Sequence, residues 1–231
     1  MSFTDFWSVP RLWPGETLAI LANGPSLTQE QATFCRGRAR VIAVNDSYLL
    51  APWADLHYFC DAKWYEWHRQ FESPAQALFG RERAMALFHG FPGIRVTLEP
   101  SAVLRKYEPS LKVLRNDSSP PDVKPRPEGL CLEPDGVRTG RNSGYQVINL
   151  AVHTGVRRIL LLGYDMGAVD GKTHWFGEHP RPSGAGIFAS TFLPMFETLV
   201  EPLEALGVEV LNCTPGSALT VFPRRPLADC L

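Results

Sequence analysis

The chain has 231 residues, 45% of them hydrophobic, and a formal net charge of -1. That length and apolar content suffice to bury one substantial core and predict a single domain over residues 1–231, while the near-neutral charge lacks the basic footprint of a nucleic-acid binder or of a protein held on an anionic membrane. No apolar run approaches the ~20 residues needed to cross a bilayer, the opening MSFTDFWSVPRLW has neither the basic nor the apolar region of a signal peptide, and a cytoplasmic protein without a membrane partner is expected.

Taken in chain order, Thr17–Ala22 reads as a buried strand, Leu27–Phe34 as a short helix, and Val41–Val44 and Leu56–Cys60 as two further strands. Lys63–Phe71 is aromatic, charged and helical in pattern, and Ala84–Phe88 and Arg95–Leu98 read as strands. From about residue 105 to 139 the texture changes to Pro, Gly, Ser and charge, predicting an irregular insertion that either covers a site or is a mobile connection. Ser143–His153 then reads as an amphipathic helix and Arg158–Leu162 as a central buried strand, its run of apolar residues being unbroken. A second long loop, rich in Gly and His, spans about 163–187; a helix from about Ala189 to Leu206 and a strand Val208–Leu211 close the chain. Strands separated by helical stretches predict an α/β fold with a mainly parallel sheet, helices on both faces and the long loop as a lid. The five cysteines are scattered without a CxxC pair, so neither a disulfide framework nor a zinc knuckle is suggested. Cys60 and Cys213 sit in apolar runs and read as buried thiols.

Five of the strand-like runs end on Asn or Asp: Asn23, Asn45, Asp61, Asp165 and Asn212. In a parallel sheet these side chains gather along the carboxyl edge, where open α/β folds place ligands; the same residues also start turns and cap helices. In LANGPSL, Gly24 permits a sharp turn and close approach, Pro25 fixes entry into the turn, and Ser26 is placed to cap the following helix. TGRNSGYQ is a second such device: Asn142, Ser143 and Gly144 precede a helix, and Arg141 is placed to bind phosphate or is simply a loop arginine. The spacings GxGxxG and GxxxxGK[ST] are absent, which disfavours NAD and simple ATPase chemistry. The lid carries Asp165, Asp170, Lys172, His174, Glu178, His179 and Arg181. A histidine there can take a proton from a hydroxyl, and Lys172 or Arg181 can neutralise a departing phosphate. His174, His179 and an aspartate form no spacing that fixes a metal geometry, and no metal is expected. His57, His68, His89 and His153 read as structural or surface residues, while Asn212, Thr214 and Ser217 are placed to complete a site wall.

The order NGPSL, VIAVN, TGRNSGY, GYD, a histidine-bearing loop, then SAL before FP resembles the bacterial sialyltransferases of glycosyltransferase family 42. It is similar as well to the motility-accessory and 6-hydroxymethylpterin diphosphokinase-like proteins and to short phage and prophage proteins of unassigned role. The resemblance covers about Thr17 to Pro223. It implies a single modified Rossmann-like domain with a nucleotide-sugar or nucleotide ligand, with Asn23, Gly24 and Ser26 on the nucleotide and its phosphate, Asn45 on the ribose or base, and Ser143 and Gly144 on the donor. Tyr164 and Asp165 of GYD, with Asn142 and Arg141, belong to the same expected site. His179 matches the lid histidine that serves as general base, with His174 the competing assignment. The sialyltransferases place lid tyrosines on the leaving phosphate, whereas this lid offers Trp175, Lys172 and Arg181. The pterin-enzyme likeness implies the alternative of ATP-dependent diphosphate transfer, with magnesium on Asp61, Asp165 and Asp46. A non-catalytic nucleotide-binding protein is the third reading. The acceptor is a glycan, a small molecule or a nucleobase, and assembly into a homo-oligomer is compatible with the resemblance.

Overall fold

The computed structural model describes residues 5–118, 129–179 and 186–231. Eight parallel strands form one sheet: β1 (Thr17–Leu21), β2 (Arg40–Val44), β3 (Leu56–Tyr58), β4 (Ile94–Leu98), β5 (Lys112–Asn116), β6 (Gly136–Val137), β7 (Arg158–Leu162) and β8 (Glu209–Asn212). Their order is β6-β5-β4-β3-β2-β1-β7-β8, so the chain winds outward from β1 to β6 and then returns to lay β7 on the other side of β1. The direction of winding reverses between β1 and β7, the switch point at which open α/β sheets present a crevice at their carboxyl ends.

Two cores follow from the period-two alternation of strand side chains. Leu18, Ile20, Ile159 and Leu161 enter one cluster, with α5 (Ser143–His153), α6 (Leu193–Glu197) and α7 (Val200–Ala205) above them. Ala19, Leu21, Leu160 and Leu162 enter the other, under α1 (Gln29–Cys35), α2 (Ala62–Gln70), α3 (Pro74–Ala77) and α4 (Arg81–His89). Helices therefore cover both faces, as the alternation of elements predicts. Among the described residues no helix is long and apolar enough to cross a membrane.

Three sequence expectations are corrected. Ala84–Phe88, expected as a strand, lies inside α4: Ala, Met and Leu are strong helix formers, and only Ala84 and Phe88, four apart on one face, are buried. The region near 105–139 is not wholly irregular, because β5 and β6 extend the sheet there; residues 119–128 of it lie outside the described residues. The single helix expected over 189–206 is three pieces, a π-helical turn at Phe188–Phe192 followed by α6 and α7. Proline supplies no amide for a continuous ladder, and Pro194 and Pro202 both fall in first turns.

Leu160 is fully buried on β7, between β1 and β8. Leu160→Ala is expected to cost about 2–5 kcal/mol, measured as a lowered urea midpoint with unchanged slope; a loss below about 1 kcal/mol would contradict the packing of this face.

Candidate functional site

At the β1/β7 switch point a cleft of about 230 Å³ opens at the carboxyl ends of the strands. Its walls come from five places. The end of β1 gives Asn23 and Gly24, the end of β2 gives Asn45, the end of β7 gives Gly163, Tyr164 and Asp165, the start of α5 gives Arg141, Asn142, Ser143 and Gly144, and the lid gives Thr173, His174 and His179. Met166, Gly167, Phe188 and Phe192 also line it, and the sequence reading had missed these four. The π-helical turn that carries the two phenylalanines has no buried residue, and apolar residues that do not pack leave no periodic signal.

The end of β1 is locked to the end of β7. The Gly24 amide donates to the Gly163 carbonyl at 2.9 Å, continuing the ladder beyond the strands. The Ser26 amide and hydroxyl donate to the two Asp165 carboxylate oxygens at 3.2 and 3.0 Å. A Cβ on Gly24 would overlap both Asp165 Oδ2 and the Gly163 carbonyl oxygen, so glycine is needed here for close approach. Burial pushes the Asp165 carboxyl up from its ordinary value, and the Ser26 bonds offset part of that rise. Ser26 is thus committed to Asp165 and does not cap α1. Thr28 does so instead, its hydroxyl accepting from the Gln31 amide at 3.2 Å while Gln31 Oε1 accepts from the Thr28 amide. Pro25, between Gly24 and Ser26, is half-buried and outside the cleft wall.

Asn23 and Asn45 lie where the strand-end argument predicts, on the cleft. Asn23 Oδ1 lies 2.8 Å from Ser47 Oγ and accepts from Trp175 Nε1 at 3.3 Å; among the described residues its Nδ2 has no partner. Asn45 has φ +47°, its carbonyl oxygen lies 2.9 Å from His57 Nε2, and its side chain has no partner among the described residues. Asn142 caps α5 by accepting from the Gly144 and Tyr145 amides at 2.7 and 3.2 Å, so these two amides are not available to an anion. Ser143 Oγ lies 3.2 Å from Cys60 Sγ. Exposed Arg141 lines the cleft without a side-chain partner among the described residues. Tyr164 is fully buried, its hydroxyl donating to the Gly144 carbonyl at 3.0 Å, which ties the β7 loop to α5.

The remaining candidates part from the expected site. Asp61 is exposed and caps α2 by accepting from the Lys63 amide at 2.8 Å. Asp46 is fully buried, with Trp64 Nε1 and Ser73 Oγ donating to it and His68 Nε2 in ion-pair contact, each at 2.9 Å. Burial alone would raise the Asp46 carboxyl; the charge of His68, with its hydrogen bond, outweighs this and holds it well below the usual carboxylate range. With Asp46 and Asp165 fully engaged and Asp61 turned to solvent, the three do not converge into a magnesium site. The group of potential metal ligands found among the described residues is elsewhere, Asp117, Cys131 and Glu133, where Asp117 is already paired with Arg115 and Arg138. Lys172 is exposed in a lid turn and absent from the cleft wall, and Arg181 lies outside the described residues. Asn212, Thr214 and Ser217 are buried behind the wall, with Thr214 Oγ1 accepting from the Tyr164 amide and Ser217 Oγ donating to the Tyr164 carbonyl. Cys213 is buried and Cys60 half-buried.

The two lid histidines sit together, ring centroids 4.4 Å apart, with Phe176 packed on both. Thr173 donates to Glu178 Oε2 at 2.8 Å and so accepts from His174 Nδ1, also at 2.8 Å, which leaves Nε2 of His174 as the unprotonated nitrogen. Burial, then the neighbouring His179, pushes His174 down to about 4. Burial also lowers His179, while the Asp46 carboxylate acts in the opposite sense.

No protein-family model and no curated protein sequence matches the chain. Its fold is similar to that of the sialyltransferase CstII from Campylobacter jejuni, solved in complex with the substrate analogue cytidine-5'-monophosphate. The two share 12% sequence identity over 93% of this chain and 87% of the other, with a TM-score of 0.55.

Gly24→Ala is expected to destabilise the protein by about 1–3 kcal/mol, because the intruding Cβ separates the two loops. A urea midpoint equal to that of the unsubstituted protein would refute the close approach. Burial lowers His57, His153, His174 and His179 below the ordinary histidine value of 6.5. Below 6.5 the unfolded chain then binds protons that the native state excludes. The urea midpoint is expected to fall from pH 7 to pH 5 and to be flat just above pH 7; a rise on acidification would show that these rings are not buried.

Proposed function

We propose that the protein is a glycosyltransferase that takes its sugar from a nucleotide-linked donor bound in the switch-point cleft. The observation that carries the reading is the meeting, in one cleft, of two strand-end amides, an unpaired arginine at a helix start and two lid histidines. The sialyltransferase-like fold supports it at the level of architecture. Asn23 and Asn45 hold the nucleotide, Arg141 faces its phosphate, and Ser143 and Gly144 border the donor.

His179 serves as general base. Its pKa is lowered by burial but supported by Asp46, whereas His174, at about 4, is a weaker base whose Nδ1 proton is already given to Thr173. His179 takes the proton of the acceptor hydroxyl. The oxygen bonds to the anomeric carbon as the bond from that carbon to the phosphate oxygen breaks, and Arg141 receives the charge that collects on the departing nucleotide. Arg141 takes the place proposed from sequence for Lys172 or Arg181. The reaction as proposed runs without a metal ion.

Calorimetric titration with nucleoside mono- and diphosphates and with nucleotide sugars tests the binding half; absence of binding to every one of them would sink the reading. His179→Ala is expected to reduce kcat by about 10²–10⁴ with nucleotide affinity retained. Unchanged turnover in both His179→Ala and His174→Ala would contradict the proposed base. The acid limb of kcat/KM is expected below pH 6.5, since the base works unprotonated and its pKa is lowered.

A further inference from the structure

Trp175 lies outside the cleft wall, yet it touches the cleft residue whose side chain has two chemically opposite ends. Its backbone amide donates to the Asn23 carbonyl at 3.1 Å and its indole Nε1 donates to Asn23 Oδ1 at 3.3 Å. Asn23 is also contacted by Ser47, whose hydroxyl lies 2.8 Å from Asn23 Oδ1 and 2.6 Å from the Ala22 carbonyl. A hydroxyl has one proton to give, so Ser47 favours Oδ1 when it donates to Asn23 and Nδ2 when it donates to Ala22, and by itself does not fix the amide. An indole N–H only donates, and whatever faces it must be an oxygen.

We propose that Trp175 is a positioning residue that decides which end of the Asn23 amide meets the ligand, an inference that rests on the nucleotide reading above. With Oδ1 held behind the cleft, Nδ2 is the atom presented, and it selects a hydrogen-bond acceptor, a phosphate or ribose oxygen. The lid and the end of β1 are joined at two points through the same residue. Ligand binding at Asn23 and docking of the lid therefore support one another, each strengthening the other by the same factor.

Trp175→Phe retains the backbone donor and an aromatic ring against Phe79 and Phe176 while removing the indole N–H. The amide is then free to turn over, with Nδ2 donating to Ser47 Oγ and Oδ1 facing the ligand, acceptor against acceptor. The test is calorimetric titration of the full chain with CMP, UMP, AMP and GMP. Trp175→Phe is expected to weaken the tightest of them about tenfold at an unchanged Tm. Adding Ser47→Ala in that background is expected to recover part of the loss, since nothing then holds Nδ2 away from the ligand. Asn23→Asp, which still accepts from Trp175 but turns a carboxylate to the cleft, is expected to abolish binding. In the unsubstituted protein, the Asn23 side-chain NH₂ resonances are expected to shift on nucleotide addition, and this decides the matter should Trp175→Phe fail to fold. Affinity of Trp175→Phe equal to that of the parent, or NH₂ resonances that stay put while the Gly24 and Gly144 amides shift, overturns the inference. Binding of no nucleotide to the parent overturns the nucleotide reading and this inference with it.

Discussion

The ends of β1 and β7 approach so closely at Gly24 and Asp165 that no side chain fits between them, and the cleft depends on that contact. Both carboxylate oxygens of Asp165 are used to hold Ser26, a polar pairing bought at the cost of burying a group that prefers to ionise in water. The turn after β1 is thereby folded back, Asn23 is left at its rim, and α1 starts at Thr28 rather than at Ser26. The β7 side is braced in turn: Tyr164 is held by Thr214 and Ser217 behind it and reaches the start of α5 in front. Asn23, Arg141 and the α5 cap consequently share one framework, although 118 positions separate the first two in the chain.

Beneath the cleft runs a buried polar layer. Asp46, His68, Trp64 and Ser73 satisfy one another, and the next residue, Ser47, reaches Asn23. A buried ion pair is a poor source of stability, because desolvation offsets most of the attraction. Its effect here is directional. The short segment Asn45–Leu49 is anchored through Asp46 and Ser47, so Asn45 keeps a left-handed backbone and turns its amide into the cleft. The negative charge of Asp46 also acts on His174 and His179, raising both against the effect of burial. The lid histidines are thus kept neutral at neutral pH by their apolar surroundings and kept from losing all basicity by a carboxylate they share.

The sheet was legible where strands are uniformly apolar, as in β1, β2 and β7, because burial on both faces leaves that pattern in the residues. β5 was not: KVLRN, next to the short edge strand β6, mixes charge with apolar residues and reads as loop. Of the five strand-end Asn and Asp residues, the shared location did not imply a shared task. Asn23, Asn45 and Asp165 line the cleft, but Asp165 spends both oxygens on Ser26; Asp61 caps a helix, and Asn212 is buried against Ser217 and Leu219. Three are amides and two are carboxylates, yet neither type has a single task; what differs is which partners the neighbouring elements bring, and that is decided by tertiary contacts. In the sequence Trp175 is only a lid aromatic without a tyrosine hydroxyl. Its contact with a residue 152 positions away has no local signature.

The distribution of backbone strain bears on the same question. Five non-glycine residues among those described have positive φ, and three of them, Asn45, Arg141 and Met166, line the cleft. Asparagine tolerates this conformation through its short polar side chain, whereas arginine and methionine do not, and each such residue costs on the order of 1–3 kcal/mol. Glycine at 141 or 166 would relieve the strain, as it does at Gly140 and Gly163 immediately beside the cleft. Retaining side chains there is a burden on stability that the two cores must offset. Arg141 is the exposed cation at the α5 start, and Met166 adds apolar surface below the lid. Strain at the cleft thus fixes where the Asn45 amide, the exposed Arg141 cation and the Met166 side chain leave the backbone, directions that a relaxed chain would not give them.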